Sequence, residues 1–100
     1  MKINSGTKKA GNNDPNWKLN QGDKTRSYIL RVPFDINYFS PLPEVITVAS
    51  VIGIEVRRGY ETIFEISKIQ STKDYTDIEI SAHDNCHIEN IAIGWIAYQP

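Results

Sequence analysis

Cysteine is almost missing from this sequence: Cys86 is the single one in 100 residues. A lone thiol excludes an internal disulfide framework and leaves a bridge between chains or a small half-buried thiol. A surplus of either charge is missing too. Eleven basic side chains stand against 12 acidic ones, a formal net charge of −1. That balance argues against general binding to nucleic acid or insertion into anionic membranes, which call for a basic excess. The basic residues are scattered as well, with adjacent pairs only at Lys8–Lys9 and Arg57–Arg58. No apolar run approaches the roughly 18 residues that a membrane-spanning helix requires. The opening stretch, MKINSGTKKAGNND, lacks the apolar centre of a secretion signal. The chain is therefore expected in the cytoplasm, or outside the cell by a non-classical route, or as a module of something longer. Internal repeats and low-complexity tracts are missing as well.

What is present is one modest core. Hydrophobic residues make up 40% of the chain, enough for a single domain over 1–100. A domain of this size buries only about 60–70% of its unfolded surface, so oligomerisation is a natural source of further burial. Residues 1–27 are polar and read as an ordered N-terminal arm packed on the domain. Trp17 is its expected anchor, because a large aromatic in a polar segment normally pins that segment down.

From residue 28 onward the pattern is β. YILRVPF (28–34) is β-branched and aromatic, with Pro33 marking an edge or a bulge. DINYFSPLPEV (35–45) reads as an irregular crossing. VITVASVIGIEV (45–56) is a long strand with a bend at Gly53. RRGY (57–60) is a turn, and ETIFEISKI (61–69) is a strand with a bulge. In YTDIEISA (75–82), Ile78, Ile80 and Ala82 point one way and Asp77, Glu79 and Ser81 the other, a half-buried strand with a wet face. In the last strand Ile91, Ile93, Trp95 and Ala97 alternate with Ala92, Gly94, Ile96 and Tyr98, so both faces are apolar. Such strands are covered on both sides, and here the second cover is expected to be another subunit. About six strands, no helix and turn signals every 8–12 residues or so describe an all-β, six-stranded antiparallel β-sandwich over 28–100, with the arm packed against it.

Chemistry concentrates in the loop His83, Asp84, Asn85, Cys86, His87. His83, Cys86 and His87 are acceptable zinc ligands with Asp84 as a fourth. A structural zinc site, however, usually draws paired ligands from two separated segments, and the chain has no other Cys or His. A Cys–His pair can make an activated thiolate, but it needs an orienting group and an oxyanion hole, and no glycine-rich nucleophile turn is present. A polar hairpin loop would look much the same. So would a ligand loop, since imidazole plus carboxylate at the end of a rigid strand suits a neutral polyol. On residue chemistry these alternatives stay open.

Several stretches together resemble the H-type lectin domain, the family of the snail agglutinins and the C-terminal domain of the discoidins. IAIGWIA (91–97) is similar to the family's closing strand. HDNC (83–86) stands where the family carries W-x-(D/N)-T, with Asn85 in the acidic-or-amide slot. FSPLPEVITVAS (39–50) is similar to the family's entry into its long apolar strand, GDKTR (22–26) resembles the arm segment before the second strand, and INSG (3–6) resembles the opening strand. The resemblance implies a sandwich that assembles as a homotrimer, or as a hexamer of two stacked trimers. It implies a non-catalytic binder of galactose- or N-acetylgalactosamine-type glycans, with no metal or other cofactor. The sugar would sit between protomers. One protomer would supply His83 and Asp84, the neighbour Gly22 and Asp23, with Glu89 near the last hairpin. His83 replaces the family's stacking Trp, and Glu61 or Thr62 occupies the slot of an Arg. Asp23, Asp84 and Glu61 would then make an acidic pocket that repels sialylated or sulfated glycans and suits neutral or amino sugars. The rival is a trimeric structural module, such as a fibre component, without a sugar site.

Overall fold

Two strands with clean alternation organise the molecule. In the computed structural model, which describes residues 1–100, Thr76, Ile78, Ile80 and Ala82 from one strand and Ile91, Ile93, Trp95 and Ala97 from another are all buried. They lie at the centres of two three-stranded antiparallel sheets. The strands are β1 (Lys2–Gly11), β2 (Arg26–Pro33), β3 (Ile46–Val56), β4 (Phe64–Ser71), β5 (Tyr75–Ala82) and β6 (Ile88–Gln99). The first sheet has the order β1-β6-β3 and the second β2-β5-β4. There is no helix. The inner faces of β5 and β6 meet to form the core, as alternation on two stacked sheets dictates. Because β5 and β6 are consecutive, the loop 83–87 between them passes from the middle of one sheet to the middle of the other.

The bends fall where the sequence places them. β3 shifts register between Val51 and Gly53, leaving Ile52 as the bulged residue. Ile52 then lies over Gly94, its Cγ2 only 3.1 Å from where a Cβ on that glycine would stand. β4 shifts between Ile66 and Lys68. Pro33 ends β2, an edge strand, where its missing N–H costs no ladder bond. The crossing 34–45 closes one end of the sandwich: Phe34 packs edge-on against Phe39 at 5.0 Å, and Gln99 Nε2 donates to the carbonyls of Ser40 and Pro43.

The arm differs from the expectation. Residues Lys2–Gly11 form β1, a full edge strand paired to β6 from Lys2↔Gln99 to Gly11↔Asn90. Its side chains are mostly exposed, so backbone pairing with β6 holds it, and no apolar alternation marks it in the sequence. The remainder of the arm is irregular and docked. Trp17 Nε1 donates to the Ile88 carbonyl at 3.0 Å, Ile88 N donates to the Leu19 carbonyl at 2.7 Å, and Leu19 is fully buried.

The outer face of the first sheet is apolar and exposed in the single chain. Ile96 is 51% exposed, and beside it on β3 lie Val48 and Ile52, 60% and 59% exposed. Val48 pairs with Ile96, and Ile46 with Tyr98. The outer face of the second sheet is polar, as β5 predicts. Ser81 bonds Ser27 and Ser67 on its two neighbours at 2.9 and 2.8 Å.

Candidate functional site

His83 keeps the parity of Asp77, Glu79 and Ser81, so its side chain belongs to the polar outer face of the second sheet. Its N–H donates to the Ile63 carbonyl at 2.9 Å, extending the pairing on the β4 side. Its ring is held between two neighbours. Nδ1 is hydrogen-bonded to Thr25 Oγ1 at 2.9 Å. Nε2 stands 3.4 Å from Glu65 Oε2, an ion pair when the ring is protonated, and has no hydrogen bond of its own.

Beyond His83 the chain reverses. Asp84 is in the left-handed region, φ 52°, which Asp tolerates better than most residues, and Cys86 N donates back to the His83 carbonyl at 3.1 Å. The Asp84 side chain is exposed at the apex. Arg26 braces the reversal from β2: Nη1 donates to the carbonyls of Lys24 and Asp84, and Nη2 to that of Cys86. Asn85 Oδ1 accepts from Glu61 N at 3.2 Å.

His87 is buried. Its Nε2 donates to the Gly22 carbonyl at 2.8 Å, so that nitrogen carries the proton and Nδ1, which has no partner, is the bare one in the neutral ring. The ring stacks on Tyr60 at 4.2 Å and 21°. Arg57 lies beyond Tyr60 and reaches Glu89 with Nε at 2.8 Å, while Asn12 Nδ2 donates to the other Glu89 oxygen at 3.0 Å. Burial pushes the Glu89 carboxyl up, but the hydrogen bonds from Arg57 and Asn12 and the Arg57 charge outweigh it and hold the group below its ordinary value.

Of the residues singled out by sequence, His83, Asp84, Gly22 and Glu61 therefore come to one end of the sandwich, around the loop 83–87. Glu89 joins them through Arg57, Tyr60 and His87. Asp23 lines a concavity of about 410 Å³ with Lys18, Gln21, Gly22, Lys24 and Arg26, so the hollow that holds it within one chain is basic. The acidic pocket of Asp23, Asp84 and Glu61 is expected between protomers, with Asp23 from the neighbour. The arm and the loop, which the resemblance assigns to neighbouring protomers, touch each other within a single chain through Gly22–His87 and Arg26–Asp84.

His83, Cys86 and His87 do not converge: no three His, Cys, Asp or Glu side chains stand at metal-binding spacing. A second concavity, about 450 Å³, lies at one end of the first sheet between Lys9, Asp14, Ile54, Glu55 and Asn90, and contains none of the expected site residues.

Glu65 and Tyr60 take part in the site without any mark in the sequence, and Thr25 and Arg26 are marked only as part of GDKTR (22–26), with no role given to them. Their roles depend on strand register, which places Arg26 and Phe64 opposite Ala82 on either side of β5. Compared with known protein-family models the chain matches none, and no curated protein matches it either.

Proposed function

We propose that this protein is a non-catalytic carbohydrate-binding module, a lectin for galactose- or N-acetylgalactosamine-type glycans that works as a homotrimer or a stacked pair of trimers. The observation that carries the reading is the meeting of the arm at Gly22–Arg26 with the loop 83–87 at one end of two rigid sheets. The resemblance implies sugar contacts from the same two segments, there contributed by neighbouring protomers, whereas here they also meet within one chain. Exposed polar groups stand there on braced backbone, the Asp84 carboxylate at the apex and Glu61 on Asn85, beside a half-buried His83 oriented by Thr25 and Glu65. Such a shallow site makes few hydrogen bonds and displaces water from both partners. Single-site dissociation constants on the order of 0.1–1 mM follow, and several sites on one rigid body raise avidity by about 10²–10⁴-fold on a glycan-coated surface.

The exposed apolar strip of the first sheet favours a second reading, in which the chain is a trimeric building block and binds no sugar. Both readings require self-association. Only the lectin reading requires agglutination that a free monosaccharide inhibits. A glycan array on the purified protein, with Asp84→Ala and His83→Ala beside it, tests the choice. Galactose-type glycans should be retained by the parent and lost by Asp84→Ala. An array blank for the parent protein leaves the structural module.

A further inference from the structure

The arm hollow points away from the neutral sugars expected of an acidic pocket. From it we infer that the concavity around Gly22 and Asp23 binds the anionic group of a glycan, a carboxylate or a sulfate ester. This rests on the lectin reading and specifies its ligand. The hollow, about 410 Å³, is lined by Lys18, Gln21, Gly22, Asp23, Lys24 and Arg26 and by no apolar side chain. A neutral sugar ring would find no platform to stack on there, whereas an acceptor-only group would find donors on most sides.

The positive charge is uncompensated. The ion pairs of the molecule are Arg31–Asp77, Arg57–Glu89, Lys73–Asp74 and His83–Glu65, and none involves Lys18, Lys24 or Arg26. Asp23 is the single carboxylate in the lining. Arg26 is fixed as well as charged. Its Nη atoms are anchored on the carbonyls of Lys24, Asp84 and Cys86, while Nε is left without a partner. Gly22, at φ +86°, lets the Arg26 stem lie against the arm: a Cβ there would meet Arg26 Cδ at 3.4 Å and Nε at 3.7 Å. None of the backbone N–H groups of Gln21, Gly22, Asp23 or Lys24 donates to another backbone carbonyl. The hollow is coupled to the loop through Gly22–His87 and Arg26–Asp84. A glycan whose neutral residue rests on Asp84 would therefore have its charged neighbour within reach of the arm.

The test is an amide-resolved NMR titration of the whole protein with four probes: a methyl galactoside, a methyl glucuronide, a galactose sulfate and inorganic sulfate. The charged sugars should shift the amides of residues 21–26. The variant Lys18→Ala, which alters one exposed side chain outside the segment 22–26, should bind them roughly fivefold more weakly. It should bind the methyl galactoside unchanged. Raising NaCl from about 20 to about 300 mM should weaken the charged sugars alone, since the Debye length shrinks severalfold over that range. If the galactoside binds and the charged sugars bind no better, the anion site is refuted and the lectin reading stands. If inorganic sulfate binds as well as the sulfated sugar, the site takes a bare anion and the glycan assignment fails. If no probe moves any amide, both ideas fall.

Discussion

Replacing Val48 with glutamate should prevent the proposed self-association without unfolding the chain. Val48 sits on the outer face of the first sheet opposite Ile96, with Ile52 nearby. Fully covering a Val or Ile side chain is worth about 1.5–3 kcal/mol. Val48, Ile52 and Ile96 are 60%, 59% and 51% exposed, so each has about half of that still to gain, roughly 1 kcal/mol. Together they offer about 3 kcal/mol per protomer, or about two decades in an association constant at ~1.4 kcal/mol per decade. Val48→Glu removes one share and leaves a carboxylate to be buried without a partner, which costs several kcal/mol. In the free chain the same carboxylate sits in water, and the change should stay within about 0.5 kcal/mol. Sedimentation velocity at about ten micromolar should give a multiple of 11.4 kDa for the parent and the single-chain mass for the variant, with closely similar thermal unfolding at high dilution. A parent protein that sediments as a well-folded 11.4 kDa particle, or a Val48→Glu variant that assembles like the parent, would refute the reasoning.

Trp17→Ala should cost about 2–3 kcal/mol in urea unfolding, because it removes a half-buried indole and strands the Ile88 carbonyl; a loss under about 0.5 kcal/mol would show that the arm is not anchored there. Glu89 has a folded-state pKa below its ordinary value of 4.5, so its contribution is fully present above that value and is lost as pH falls through the lower, folded one. Stability should therefore fall more steeply between about pH 5 and pH 3 in the parent than in Glu89→Gln, and parallel melting curves across that range would contradict the assignment.

The polarity of the second sheet's outer face was legible in Asp77, Glu79 and Ser81, and the same parity extends to His83. What that parity cannot reveal is which side chains meet His83. Thr25 and Glu65 reach it only because β2 and β4 flank β5 in one particular register. The basic hollow was hidden for a related reason. Lys18, Lys24 and Arg26 are spread over nine residues with Asp23 and the buried Leu19 among them, and the turn at Gly22 together with the docking of Arg26 on the loop gathers them. Apart from the opening strand that the resemblance puts at 3–6, the extent of β1 over Lys2–Gly11 was hidden, because an exposed edge strand is held by main-chain bonds, which every residue can make.

By itself the sequence determined the local alternations, with Ile78, Ile80 and Ala82 on one face of β5 and Ile91, Ile93, Trp95 and Ala97 on one face of β6, as well as the bend near Gly53 and the anchoring of Trp17. Side-chain direction along a strand repeats every two residues, so a few neighbours suffice to read it. Only the tertiary structure decided that β6 lies between β1 and β3, that β5 lies between β2 and β4, and that Asp23 shares a hollow with two lysines and an arginine. Those outcomes depend on contacts between residues tens of positions apart, and no short window of sequence contains both partners.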